Sequence, residues 1–211
     1  MTLQTNTAII DSNLQKGGIF MLTYLSVGTA KILPELFKPI KNGNPKPTGG
    51  IWATKQNLDL LNYNDWVDFL SWNPSILFYK SKSENPFIIP AVLITLNENA
   101  KVFNLGTKAD LEYLKETFKT EDNWIDFEKM SLIYDAIYVN LESLYREVGN
   151  DEQNKLKQYA VSSLILFNLN CIDYYRSATV EIEPYDYELF NKFTNYSIVI
   201  EKTPTRTRVF N

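Results

Sequence analysis

The chain has 211 residues, a formal net charge of −4, one cysteine and no histidine. That length suits a single domain with a proper core. The missing imidazole excludes Ser-His-Asp and Cys-His nucleophile systems, HExxH zinc sites and two-His-one-carboxylate iron sites. A lone cysteine excludes an internal disulfide, and an acidic balance with a pI near 5.0 argues against a broad nucleic-acid surface.

Residues 1–18 are polar, end in Gly17-Gly18 and read as a flexible or docking N-terminal arm. They lack the basic and apolar regions of a signal peptide, and no apolar run in the chain reaches the ~18 residues of a membrane-spanning helix. Residues 19–27 (IFMLTYLSV) predict a strand that Gly28 ends. Residues 38–50 hold the densest turn chemistry: Pro39, Pro45 and Pro47 fix φ, while Gly43, Gly49 and Gly50 permit unusual backbone angles. Lys31, Lys38, Lys41, Lys46 and Lys55 make this region locally cationic, as either a solvated loop or a rim for a phosphate-bearing ligand. A short strand follows at 51–54.

Residues 63–72 predict a helix capped by Asn64, with Trp66, Phe69 and Leu70 on one face and Pro74 closing it. Two strands, 90–96 and 100–105, flank the turn Asn97-Glu98-Asn99. Thr107 caps a helix running to about Phe118, with Leu111, Leu114 and Phe118 at helical spacing. A short helix within 125–134 leads into a strand at 136–139; residues 151–161 predict a charged helix and 163–167 an apolar strand around which Cys171 is a buried structural thiol. Strands at 178–182 and 197–201 complete the chain. Strands and helices mix without regular βα alternation, so the class is α+β, with a split mixed or antiparallel sheet and flanking helices. Residues 19–183 form the domain and 184–211 a C-terminal extension with a strand.

Phosphate-loop, dinucleotide-fingerprint and nucleophile-elbow motifs are absent. The informative run is KPTGGIWAT, residues 46–54. Gly49 and Gly50 either let backbone N–H groups approach a ligand beside Trp52, or make a tight turn into a core strand. Together with FKPIKN before it and Trp66 and Trp72 after it, this run resembles a family of bacterial and phage proteins with a KPxGGLW-type motif, whose layout is similar to the ADP-ribosyltransferase-like fold. Tyr134-Asp135-Ala136-Ile137-Tyr138 resembles the family's YDGIE-type strand, and residues 159–168 its WDxDSIxxxN-type strand.

The resemblance implies a split sheet clasping NAD, with Tyr24, Ser26, Gly49, Gly50, Trp52 and Thr54 as cofactor-binding residues and no metal. It implies the cytoplasm of a bacterial host or a virion as the setting. The fold's first strand carries Arg or His on the dinucleotide, yet here it reads Tyr24-Leu25-Ser26. Its later strand carries a Glu that stabilises an oxocarbenium-like transition state, yet here Tyr138 stands in that place. Glu142 and Glu181, with Glu183 beside the latter, are the substitute carboxylates. Three readings remain open: an NAD-dependent ADP-ribosyltransferase with a rebuilt site, a structural or interaction subunit of a larger assembly such as a phage particle, and a non-catalytic binder of a nucleotide or protein.

Overall fold

The computed structural model describes residues 22–73, 88–122, 124–182 and 196–201. The expected arm at 1–18, the closing Pro74, Glu183 and most of the 184–211 extension lie outside the described residues.

Eight strands form one sheet in the order β4-β5-β6-β2-β1-β3-β7-β8. They are β1 (Thr23–Val27), β2 (Ile51–Gln56), β3 (Ile88–Leu96), β4 (Val102–Leu105), β5 (Ala136–Val139), β6 (Ser163–Leu166), β7 (Ile172–Ile182) and β8 (Tyr196–Ile200). Only β4–β5 is parallel; the other pairs are antiparallel. Among the described residues five α-helices accompany them: α1 (Asp65–Trp72), α2 (Lys108–Thr117), α3 (Phe127–Met130), α4 (Leu141–Leu144) and α5 (Asn150–Leu156). The class is α+β, with a mostly antiparallel mixed sheet.

Local chemistry starts these helices. Asn64 accepts hydrogen bonds from the N–H groups of Trp66 and Val67. Thr107 and Asp110 form a reciprocal capping box on α2, and the side chains of Asp126 and Asn140 cap α3 and α4. Each satisfies backbone donors that a helix start leaves unpaired.

Side chains alternate between sheet faces along a strand, and directly paired residues share a face. The pairs Leu25–Thr54 and Trp52–Ile165 therefore define one face. On it α1 buries Val67 and Leu70 against Leu25, Leu93, Ala178 and Ile198. Beside this cluster, α2 to α5 bury Leu114, Phe127, Met130, Leu144 and Leu156 against Ile137 and Ile165. Full burial of each such side chain contributes roughly 1.5–3 kcal/mol. The opposite face carries Tyr24, Ala53, Val92, Ile94 and Leu164, packed with Ile32, Phe37, Leu169 and Cys171.

Four features differ from or add to the expectations. β7 begins at Ile172 rather than 178, because its pairing with β3 continues through Tyr174, Tyr175 and Arg176, where polar residues obscure the apolar signal. β3 and β4 do not pair with each other; the turn after Leu96 carries the chain to the far edge, where β4 pairs with β5. The helix expected over 151–161 ends at Leu156 and tightens into a 3-10 turn, Lys157–Tyr159. Among the described side chains of α1, Val67 and Leu70 are buried, while Trp66 and Phe69 stack on each other with centroids 5.3 Å apart.

Candidate functional site

The glycine pair is explained by packing. Gly49 and Gly50 both adopt positive φ, +77° and +63°. A Cβ on Gly49 would lie 2.2 Å from the Pro39 carbonyl oxygen, and one on Gly50 2.5 Å from that of Leu166. The Gly50 N–H donates to Lys38 O at 2.8 Å. The loop is thus pressed onto residues 38–40 and onto β6, and these glycines serve a close approach of chain to chain.

Trp52 is half-buried. Its indole N–H donates to Gly49 O at 3.2 Å, and its ring lies 5.8 Å from that of Tyr159. The Lys46 ammonium sits 5.8 Å from the Trp52 ring centroid and donates to Gln158 O at 3.1 Å. A stacking ligand has to displace that lysine.

Thr54 faces a buried polar network. Its hydroxyl donates to Asn64 Oδ1 at 2.9 Å. The Asn64 amide donates to Gln56 Oε1 at 2.9 Å. Gln56 Nε2 donates to the carbonyls of Asn57, Leu60 and Tyr63, closing the loop that precedes α1. From the far edge of the sheet, the Tyr196 hydroxyl accepts from Asn64 N–H at 2.6 Å and donates to Asn64 O at 3.1 Å. Among the described residues no buried side-chain polar atom lacks a partner.

Tyr24 and Ser26 lie on the opposite face. Tyr24 pairs with Lys55 and Ile94, and Ser26 with Val92. Both are buried, at 4% and 6% exposure. Tyr138 shares that face, with its ring 6.3 Å from Tyr24. Burial first, then the neighbouring Tyr138, pushes the Tyr24 hydroxyl up to about 12. The sheet itself therefore separates Tyr24 and Ser26 from Trp52 and Thr54, and the six expected contact residues do not line one cleft.

The two candidate carboxylates are also apart. Glu181 is exposed, on β7 opposite Ile88. Glu142, at the start of α4, is exposed and forms a 2.7 Å ion pair with Arg146. Glu142 lines an open groove of about 400 Å³ between α1 and α4, with Asp65, Asp68, Phe69, Tyr145 and Ser162. None of the six expected cofactor-contact residues lines that groove.

Two of the five lysines of the cationic stretch are engaged in structure, while Lys31, Lys38 and Lys55 are exposed. Lys41 pairs with Glu128 at 3.3 Å, and Lys46 is held as described. Cys171 is buried, donates to Asn168 O at 3.2 Å, and burial raises its thiol to about 12. Among the described residues there is no group of three or more potential metal ligands, and no helix is long and apolar enough to cross a membrane.

Sequence reasoning found Asn64 as a cap but missed Gln56 and Tyr196, whose roles depend on contacts far along the chain. It also missed Asn42, whose side chain bonds Asp126 and the Glu128 N–H. No family model, curated protein or solved structure matches the chain.

Proposed function

We propose that this chain is a non-catalytic interaction subunit, built on a degenerate ADP-ribosyltransferase-like scaffold and working within a larger protein assembly such as a phage particle. One observation carries the reading. The residues expected to hold NAD are divided between two faces of the sheet and committed to packing: Tyr24 and Ser26 in a filled core, Trp52 and Thr54 on the side of the helices. Stabilising a developing oxocarbenium needs a carboxylate and its orienting donors in one preorganised, water-excluding site. Glu181 and Glu142 are solvent-exposed, Glu142 is held in an ion pair by Arg146, and Tyr138 stands where the resemblance would put the family's Glu.

Titration with NAD tests the binding part of this reading, followed by thermal unfolding and tryptophan fluorescence. The expected outcome is no shift in either signal at millimolar NAD. A saturable rise in melting temperature, abolished by Trp52→Ala or by Ser26→Val, would restore a dinucleotide site.

A second reading keeps one specific support. Glu142 lines the groove between α1 and α4 together with the aromatic rings of Phe69 and Tyr145. In that reading NAD is cleaved there, with Glu142 as the carboxylate.

A further inference from the structure

We propose that Asn42-Gly43 is a site of spontaneous deamidation that a clasp to α3 holds shut, and that its modification irreversibly releases the motif loop. Three groups of Asn42 are engaged. Its Nδ2 donates to Asp126 Oδ1 at 2.8 Å, its Oδ1 accepts from Glu128 N–H at 3.1 Å, and its own N–H donates to Glu128 Oε1 at 3.1 Å. Beside it, Lys41 exchanges two 2.9 Å backbone hydrogen bonds with Thr48. These contacts fasten the loop that carries Gly49 and Gly50.

Gly43 gives the site its chemistry. Glycine shields its own amide nitrogen least, so that nitrogen can reach the preceding side-chain carbonyl carbon. The turn also requires glycine: a Cβ there would lie 2.2 Å from Lys46 O. The labile dipeptide is therefore fixed by the fold.

The reaction balances with water as the sole co-reactant. The Gly43 nitrogen attacks Asn42 Cγ, the Cγ–Nδ2 bond breaks, and ammonia leaves with the proton from Gly43. Water then opens the cyclic imide at one of its two C–N bonds, giving aspartate or isoaspartate. Attack requires the side chain to swing from Asp126 and Glu128, so the rate follows the population of the opened loop. The product carboxylate cannot donate to Asp126. It faces that carboxylate at the former hydrogen-bond position, with Glu128 adjacent, and like charges repel there. Isoaspartate in addition lengthens the backbone by one methylene within a tight turn.

The test is peptide mass spectrometry of the full chain aged in mildly alkaline buffer, scoring the one-dalton gain and the isoaspartate isomer at position 42. Three samples are compared: the folded protein, the protein unfolded in urea, and folded Glu128→Ala, which keeps the Asp126 helix cap. The folded protein is expected to deamidate far more slowly than the unfolded chain. Glu128→Ala removes the charge-assisted hydrogen bond to the Asn42 N–H and the exposed Lys41 ion pair, and is expected to react about tenfold faster than the folded wild type, mostly through the hydrogen bond. Hydrogen exchange of Asn42→Asp is expected to show lost protection at Lys41 and Thr48. Equal rates in folded and unfolded wild type, an unchanged rate in Glu128→Ala, or full protection in Asn42→Asp would each overturn the proposal.

Discussion

Replacing Asn64 by alanine tests whether Thr54 is a structural residue or a ligand contact. The substitution removes the cap on the Trp66 and Val67 N–H groups, at a cost of about 1 kcal/mol. It also leaves the Thr54 hydroxyl without its acceptor and Gln56 Oε1 without its donor. Both lie in residues under 5% exposed, and an orphaned buried group costs about 1–3 kcal/mol. Together the lost cap and the two orphaned groups cost about 3–7 kcal/mol, a large share of the ~5–15 kcal/mol that holds a domain together. The assay is urea unfolding of Asn64→Ala, Thr54→Val and the double variant. Because the side chains share one network, the double variant is expected to lose clearly less than the sum of the singles, a coupling of ~1 kcal/mol. If Asn64→Ala loses under ~1 kcal/mol, or if Thr54→Val is neutral and uncoupled, the network is not structural and Thr54 is free to serve a ligand.

Ala160 adopts φ +65°; Ala160→Gly is expected to raise stability by ~0.5–1 kcal/mol in the same assay, and a loss would show that the methyl group packs productively. Gly50→Ala places a methyl against Leu166 O and is expected to cost about 2 kcal/mol or more, at the scale of overpacked sites. Backbone and side-chain hydrogen bonds hold the carboxyls of Asp110, Asp126, Glu128 and Glu152 below their ordinary values, against the opposing effect of burial. Their contribution is therefore present above the unfolded carboxylate range and is lost as pH falls through the folded values, so unfolding midpoints are expected to drop below ~pH 4. At the alkaline end, burial pushes Tyr24 and Tyr196 up to about 12 and Tyr159 higher still. Their contribution is complete below ~pH 10 and is lost as pH rises through the folded values; tyrosinate absorbance that ran ahead of unfolding for all tyrosines would contradict their burial.

Local features of the fold were legible in the sequence because their causes are local. Asn64 and Thr107 announce helix starts within three residues of the N–H groups they satisfy, and Leu111, Leu114 and Phe118 repeat at helical spacing. The candidate site was not legible, because it depends on register. Leu25 rather than Tyr24 pairs with Thr54, and a one-residue difference moves a side chain to the other face. No spacing within β1 or β2 contains that information. Tyr196 and Asn64 meet across 132 residues, beyond the reach of any motif. The glycine pair stands out in the sequence as unusual backbone, and of its two readings the tight turn into a core strand fits the structure, where the pair is pressed against Pro39 and β6.

Release of free nicotinamide from NAD decides whether the proposed non-catalytic scaffold does any chemistry on the dinucleotide. Purified protein incubated with NAD, alone and with a bacterial lysate as acceptor source, is expected to release no more nicotinamide than buffer or lysate controls. Release above those controls that disappears in Glu142→Gln, with the fold of that variant intact by circular dichroism, would show an active site in the groove between α1 and α4 and overturn the non-catalytic reading.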